Sequence, residues 1–217
     1  MTNRIKLIMA WLGIRGSKPG LAKAAERLAE LRTPEGEPIP PQTRRELDRA
    51  LERLRLLKGQ IKAVEAEREA AIAAAPARRE NAMIRLLAQV QGIGIETAEM
   101  LVREVLSRDL RDRRALARFA GLTGMPDESG AKRRQKGIAR AGHRRVRVGM
   151  IQLAWRILQF QTGSELAQWY LRRTAGAAGV GRKILIVALA RKALIALWKF
   201  ATTGEVPRGF VLRPAAT

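Results

Sequence analysis

The sequence predicts an all-α protein, a long coiled-coil-like helical arm followed by a compact helical domain. Three observations carry this. Apolar residues recur at helical spacing in segment after segment. No stretch shows the strict apolar–polar alternation of a half-buried strand, and none stands out as one. Gln42 to Ala75 keeps a seven-residue apolar repeat with acid and base alternating on the other faces.

In chain order, residues 3–13 read as a short amphipathic helix with Ile5, Ile8, Met9 and Leu12 on one face, ended by Gly13, Gly16, Pro19 and Gly20. Leu21 to Leu31 reads as a second helix. Between Thr33 and Pro41 the prolines forbid a helix. The arm follows. Leu47, Leu54 and Ile61 occupy one heptad position, and Ala50, Leu57, Val64 and Ala71 the other. Gly59 weakens its middle and Arg68 interrupts the seam. Two readings stand: a seam that pairs with a second helix, giving a homo-oligomer if that helix is another copy's, or one long surface helix packed on its own domain. Pro76 marks the expected boundary between a linker-and-arm region, 1–78, and a basic helical domain, 79–217.

The basic domain opens with two apolar-periodic segments around Gly92-Ile93-Gly94. Ile84, Leu87 and Val90 precede the turn; Ala98, Leu101, Val102 and Val105 follow it. Glycines at 92 and 94 permit positive φ and close approach of a ligand. Thr97 is expected near the start of the second helix, where free amides could hold a phosphate oxygen. The pattern resembles a helix-hairpin-helix DNA-binding element; the other reading is a tight turn whose glycines serve packing. A dinucleotide site is excluded, because Thr97 stands where a third glycine would be needed.

Beyond the turn, Val146 to Phe160 and Glu165 to Arg173 read as helices, with Gly176, Gly179 and Gly181 in a loop between the latter and Ile184 to Phe200. That last helix is the most hydrophobic and is expected at the core's centre. Trp155, Trp169 and Trp198 read as core anchors. GAAGVGRK is not a phosphate-binding P-loop, since no Ser or Thr follows Lys183.

Composition bounds the function. Lys plus Arg total 42 against 20 Asp plus Glu, a formal charge of +22. Residues 1–80 hold 17 basic and 11 acidic residues, whereas residues 81–217 hold 25 and 9. The excess implies a polyanionic partner contacted mainly by the C-terminal part. Absence of cysteine excludes disulfides and thiolate metal sites, and the single histidine, His143, excludes a His-rich one. No signal peptide is read, and the longest apolar run, Ile184 to Ala190, falls far short of the roughly 20 residues that span a bilayer. A cytoplasmic protein with no membrane association is expected. Aromatics are only 4%, so base stacking should not dominate binding.

Charge concentrates in KRRQKGIARAGHRRVR, Lys132 to Arg147, which is half Lys or Arg and has no acid. Lys132, Arg133, Arg134, Lys136, Arg140, His143, Arg144, Arg145 and Arg147 are candidate phosphate contacts; arginine forks grip phosphate bidentately. Just before the run lies Ser129, in Asp-Glu-Ser-Gly. From composition alone it reads as a turn residue. A serine hydroxyl attacks only when a base, a metal or clustered cations assist it.

GIGIETA followed by ALARFAGLTGMPDESGAKRRQKGIARAGHRRVR resembles the transposase domain of the IS-one-ten family of insertion-sequence recombinases, over about residues 81–202. NRIK, LGIRG and the proline-then-coiled-coil pattern resemble that family's linker. The resemblance implies DNA transposition and recombination, with Ser129 of the Ser-Gly dipeptide as the nucleophile that attacks DNA. Gly142-His143 stands where the family has Gly-Asn. The resemblance also implies a RuvC-like domain with four metal-binding acids, which this chain does not show, so Mg would be held elsewhere and the chain alone should not cut DNA. It further implies a guide (bridge) RNA as partner. A non-catalytic nucleic-acid-binding protein or a decayed transposase remnant are the alternative readings.

Overall fold

A computed structural model describes residues 1–129, 132–138, 141–176, 179–207 and 209–214, with backbone only for 125–129, 132–137 and 180. It divides into two compact units, Met1–Ala71 and Ile72–Thr217.

In the first unit, α1 (Thr2–Trp11) and α2 (Ala24–Glu30) pack on the N-terminal part of α3 (Pro41–Ala74). The core is Ile5, Met9, Ile14, Leu28, Ile39, Leu47, Leu51 and Leu54. The proline segment is no helix: Gly36, at φ 84°, closes a turn in which Thr33 accepts from Gly36, and Arg32 bridges Pro38. Proline then starts α3 at its first position, where a missing N–H costs nothing. Arg44 fixes the helix's entry, donating to Asp48 at 3.1 Å and to the Leu28 carbonyl at 3.1 Å.

The second unit is built from α4 (Arg79–Ala88), α5 (Ile95–Leu101) with a π-helical turn at Val102–Leu106, α6 (Arg113–Phe119), α7 (Arg144–Phe160), α8 (Glu165–Thr174) and α9 (Gly179–Thr203). Helix α9 supplies the centre of the core with Leu189, Ala190, Ala193, Leu194, Leu197 and Phe200, packed chiefly against α7 and α8. It starts earlier than expected: Gly179 and Gly181 belong to the helix rather than to a loop. Trp155 is also not a core anchor. It is 52% exposed, because α7 turns Val146, Met150, Leu153, Ala154 and Ile157 inward and leaves 148 and 155 on the outer face. Trp169 and Trp198 are half-buried against the core.

Helices carry the fold, as predicted, with one addition. Strands β1 (Gly124–Ser129) and β2 (Lys132–Ile138) form an antiparallel hairpin where no strand was expected. Neither has the β-branched or alternating pattern that signals a strand. The register is irregular between Gly124 and Pro126, where the proline cannot donate to the ladder.

Candidate nucleic-acid interface

The interface begins at the turn between α4 and α5. Gly92 adopts φ 84° and needs to be glycine; Gly94, at φ −90° and ψ 169°, is extended and caps α5. The expectation of positive φ therefore holds at 92 and fails at 94. Thr97 is the third residue of α5, is buried, and its hydroxyl accepts from Arg156 Nη2 at 3.2 Å. Its hydroxyl is thus committed to the fold, and what it can offer outward is its first-turn amide.

The turn's carbonyls are taken up from inside. Arg156 donates to Gly92 O at 3.4 Å, Gln161 to Gln91 O, and Arg213 to Ile93 O at 2.9 Å. The segment 211–213 lies alongside: Gln91 N donates to Val211 O at 2.9 Å and Arg213 N to Gln89 O at 2.7 Å. Gln161 is 2% exposed and is satisfied at both ends, its Oε1 accepting from Val211 N at 2.8 Å. Arg156, Gln161 and Arg213 were not singled out from the sequence. Arg156 is the one charged residue between Val148 and Phe160, which was the available signal for the first.

A cavity of about 540 Å³ joins this turn to the basic run. Glu96 and Thr97 line it from α5; Arg144, Arg145, Gln152 and Arg156 line it from α7. The structure thereby brings Thr97 together with Arg144 and Arg145. At Gly149 the end of the Met100 side chain fills the space a Cβ would take, 2.5 Å from its position.

His143 caps α7. Its Nδ1 accepts from Val146 N at 3.4 Å, its Nε2 lies 3.1 Å from Glu104 Oε2, and its ring stacks on Phe119 at 5.8 Å. Glu104, carried by the π-helical turn, also receives Arg145 at 3.2 Å. One carboxylate therefore orients both His143 and Arg145. Arg147 is half-buried and donates to the Ala141 carbonyl at 3.4 Å, so it holds the connection to the hairpin. Arg144 is exposed and makes no ion pair among the described residues.

The base of the hairpin is closed by two glycines back to back. Gly121 has φ 65° and Gly142 φ 95°. A Cβ on Gly142 would lie 2.6 Å from Gly121 N, and one on Gly121 would lie 2.7 Å from Ala141 O. His143 N donates to Phe119 O at 2.7 Å across the same junction. Above it, the register sets Asp127 opposite Arg134, Glu128 opposite Arg133 and Ser129 opposite Lys132. Ser129 is therefore the last residue of β1, at the end of the hairpin away from its base. Lys132, Arg133, Arg134 and Lys136 all lie on β2; Arg140 lies outside the described residues.

Asp112 caps α6 by accepting from the Arg114 and Ala115 amides, each at 2.7 Å. The Ala115 amide is the main reason its carboxyl lies below the usual carboxylate range. Desolvation opposes it, and the Arg114 amide and Arg111 guanidinium add to the lowering. Among the described residues no group of three or more Asp, Glu or His side chains could hold a metal ion. No described helix is long and apolar enough to cross a membrane.

Residues 84–170, from α4 through most of α8, match the model of the Transposase IS116/IS110/IS902 family. The chain is also 41% identical over 218 residues to the Sinorhizobium fredii protein y4rJ, whose name describes a transposase. That similarity covers 97% of this chain and 55% of the relative, so the chain spans about half the length of the curated protein it matches.

Proposed function

We propose, from a chain that carries an IS116/IS110/IS902-type transposase domain, that unit 72–217 grips DNA and presents Ser129 to a phosphodiester during transposition. The observation that carries this is the hairpin. Its base is fixed by Gly121 and Gly142, and its register puts Ser129 at the far end of a strand pair whose second strand is the basic segment Lys132–Ile138. A serine so placed meets the backbone of whatever polyanion β2 and α7 bind. In the proposed step the Ser129 oxygen forms a bond to phosphorus, one bridging P–O bond breaks, and serine's proton ends on the released DNA oxygen. Clustered cations would stabilise the charge that develops on phosphorus's other oxygens.

The DNA contacts in this reading are Lys132, Arg133, Arg134, Lys136, Arg140, Arg144 and Arg145 by charge, with the first-turn amides after Gly92 and Gly94, Thr97's among them, as the helix-hairpin-helix grip. His143 and Arg147 act by holding the scaffold. The described carboxylates do not form a metal site, and no step is routed through one. Mg would belong to a RuvC-like acidic domain acting with this unit, and a guide RNA would share its basic surface. The test is adduct formation. The chain is supplied with duplex DNA and Mg, with and without a RuvC-like domain and candidate RNA. A covalent protein–DNA adduct that needs the acidic domain and disappears in Ser129→Ala is expected. An adduct that survives the substitution removes serine from the chemistry and leaves a binding module.

The arm supports association of copies. Leu57, Ile61 and Val64 continue the seam beyond the first unit's core and are 44%, 50% and 53% exposed. In this reading they pair with the same stretch of a second copy.

A further inference from the structure

A second basic surface lies on the side of the domain formed by α6, α8 and α9. The cleft there has a volume of about 1140 Å³. Arg113 and Arg114 enter it from α6, Arg172 from α8, and Arg191, Lys192 and Lys199 from α9. Among the described residues only two acids line it, Glu165 and Glu205, and Glu205 is paired with Lys199 at 3.0 Å. Among the described residues Arg113, Arg114, Arg172 and Arg191 make no ion pair. Cations gathered in this way repel one another unless a polyanion joins them.

Trp169 organises the wall. Lys192 Nζ lies 5.0 Å and Arg173 Cζ 5.8 Å from its ring centroid. The ring's quadrupole holds a cation in place without neutralising it. A carboxylate would have done the opposite. The cleft is larger than the roughly 300–1,000 Å³ typical of small-molecule sites, which favours a polymer. Four of the six lining cations are arginines, whose forks match phosphate oxygens.

We propose that the α6–α8–α9 cleft is a second polynucleotide-binding surface, taking the sugar–phosphate backbone of a strand. It rests on the nucleic-acid reading above but uses none of the same residues. The two surfaces flank α6: Arg113 and Arg114 start the helix at the cleft, and Phe119 ends it against His143. Seven residues of helix separate them by roughly 10 Å along the axis.

The experiment measures binding of a labelled duplex and a labelled single strand to the full chain over a range of salt. Three variants are compared: R113A/R172A/K192A, R144A/R145A and the charge-keeping R113K/R172K. The cleft variant should lower the slope of log affinity against log salt by about 2–3, from three lost phosphate contacts. R144A/R145A should lower it separately, and R113K/R172K should keep most of the parent slope. A cleft variant with parent affinity and slope on both probes, while R144A/R145A loses both, overturns the proposal and leaves the nucleic-acid reading standing. If neither variant differs from the parent, the reading itself fails. Should R113A/R172A/K192A misfold, acetylation of the unmodified chain decides. Bound duplex or strand should protect Lys192 severalfold, and equal labelling with and without nucleic acid overturns the proposal.

Discussion

Gly142 and Gly92 both sit at positive φ, yet their surroundings differ. A Cβ at 142 meets backbone at 2.6 Å, whereas one at 92 meets only ordinary contacts, the nearest at 3.8 Å. Gly92→Ala should therefore cost the dihedral alone, about 1–2 kcal/mol. Gly142→Ala should cost more, about 1–3 kcal/mol from the dihedral with backbone overlap added. Denaturant titration of the two variants checks the order, and equal losses would contradict the back-to-back arrangement. Asp112 gives a pH prediction. Its carboxyl titrates lower in the folded chain, so its stabilising contribution is present above its ordinary value of about 3.9 and is lost as pH falls through the lower, folded value. Asp112→Asn keeps a cap and should flatten this acid limb; Asp112→Ala should lower the melting temperature at neutral pH as well. Thermal melts from neutral to acid pH measure both.

At the scale of elements, α3 changes role along its length. Leu47, Leu51 and Leu54 are buried in the first unit, while Leu57, Ile61 and Val64 carry the same pattern with no partner within it. Ile61→Asp with Val64→Asp should leave that unit's melting unaltered and lower the mass seen by sedimentation; an unchanged mass would mean that the arm does not pair between copies. Helix α9 is the opposite case, apolar almost all round because the domain packs on several of its faces. Leu194 is fully buried, and Leu194→Ala should cost about 2–5 kcal/mol by denaturant unfolding. The helices were legible because burial writes a 3.6-residue period into sequence. The hairpin was not. KRRQKGI has no apolar face to bury, so nothing in its pattern distinguishes a charged strand from a charged loop.

At the scale of the molecule, charge and site diverge in how visibly they were written. The +22 excess and its concentration beyond residue 80 pointed to a polyanion directly. Replacing Arg133, Arg134, Arg144 and Arg145 with alanine should weaken DNA binding and reduce the salt slope by about 3–4. An unchanged slope would remove this run from the contact surface. The turn was legible from Gly92-Ile93-Gly94, but its supports were not, because Arg156, Gln161 and Arg213 come from up to 120 residues away. A separation of 41 residues between Glu104 and Arg145 hid the division of labour in the basic run. Only the folded chain shows that Glu104 occupies Arg145 and His143 while Arg144 stays open.

The bonding of 211–213 to the Gln89–Ile93 turn also orders events in time. Such a junction raises the contact order of the domain and delays its last closure. During synthesis α4, α5 and their glycine turn emerge long before residue 213 does. Until then Ile93 O lacks its arginine and Gln89 O its amide partner. A nascent chain would thus carry the basic run without a finished turn until the segment that closes it emerges.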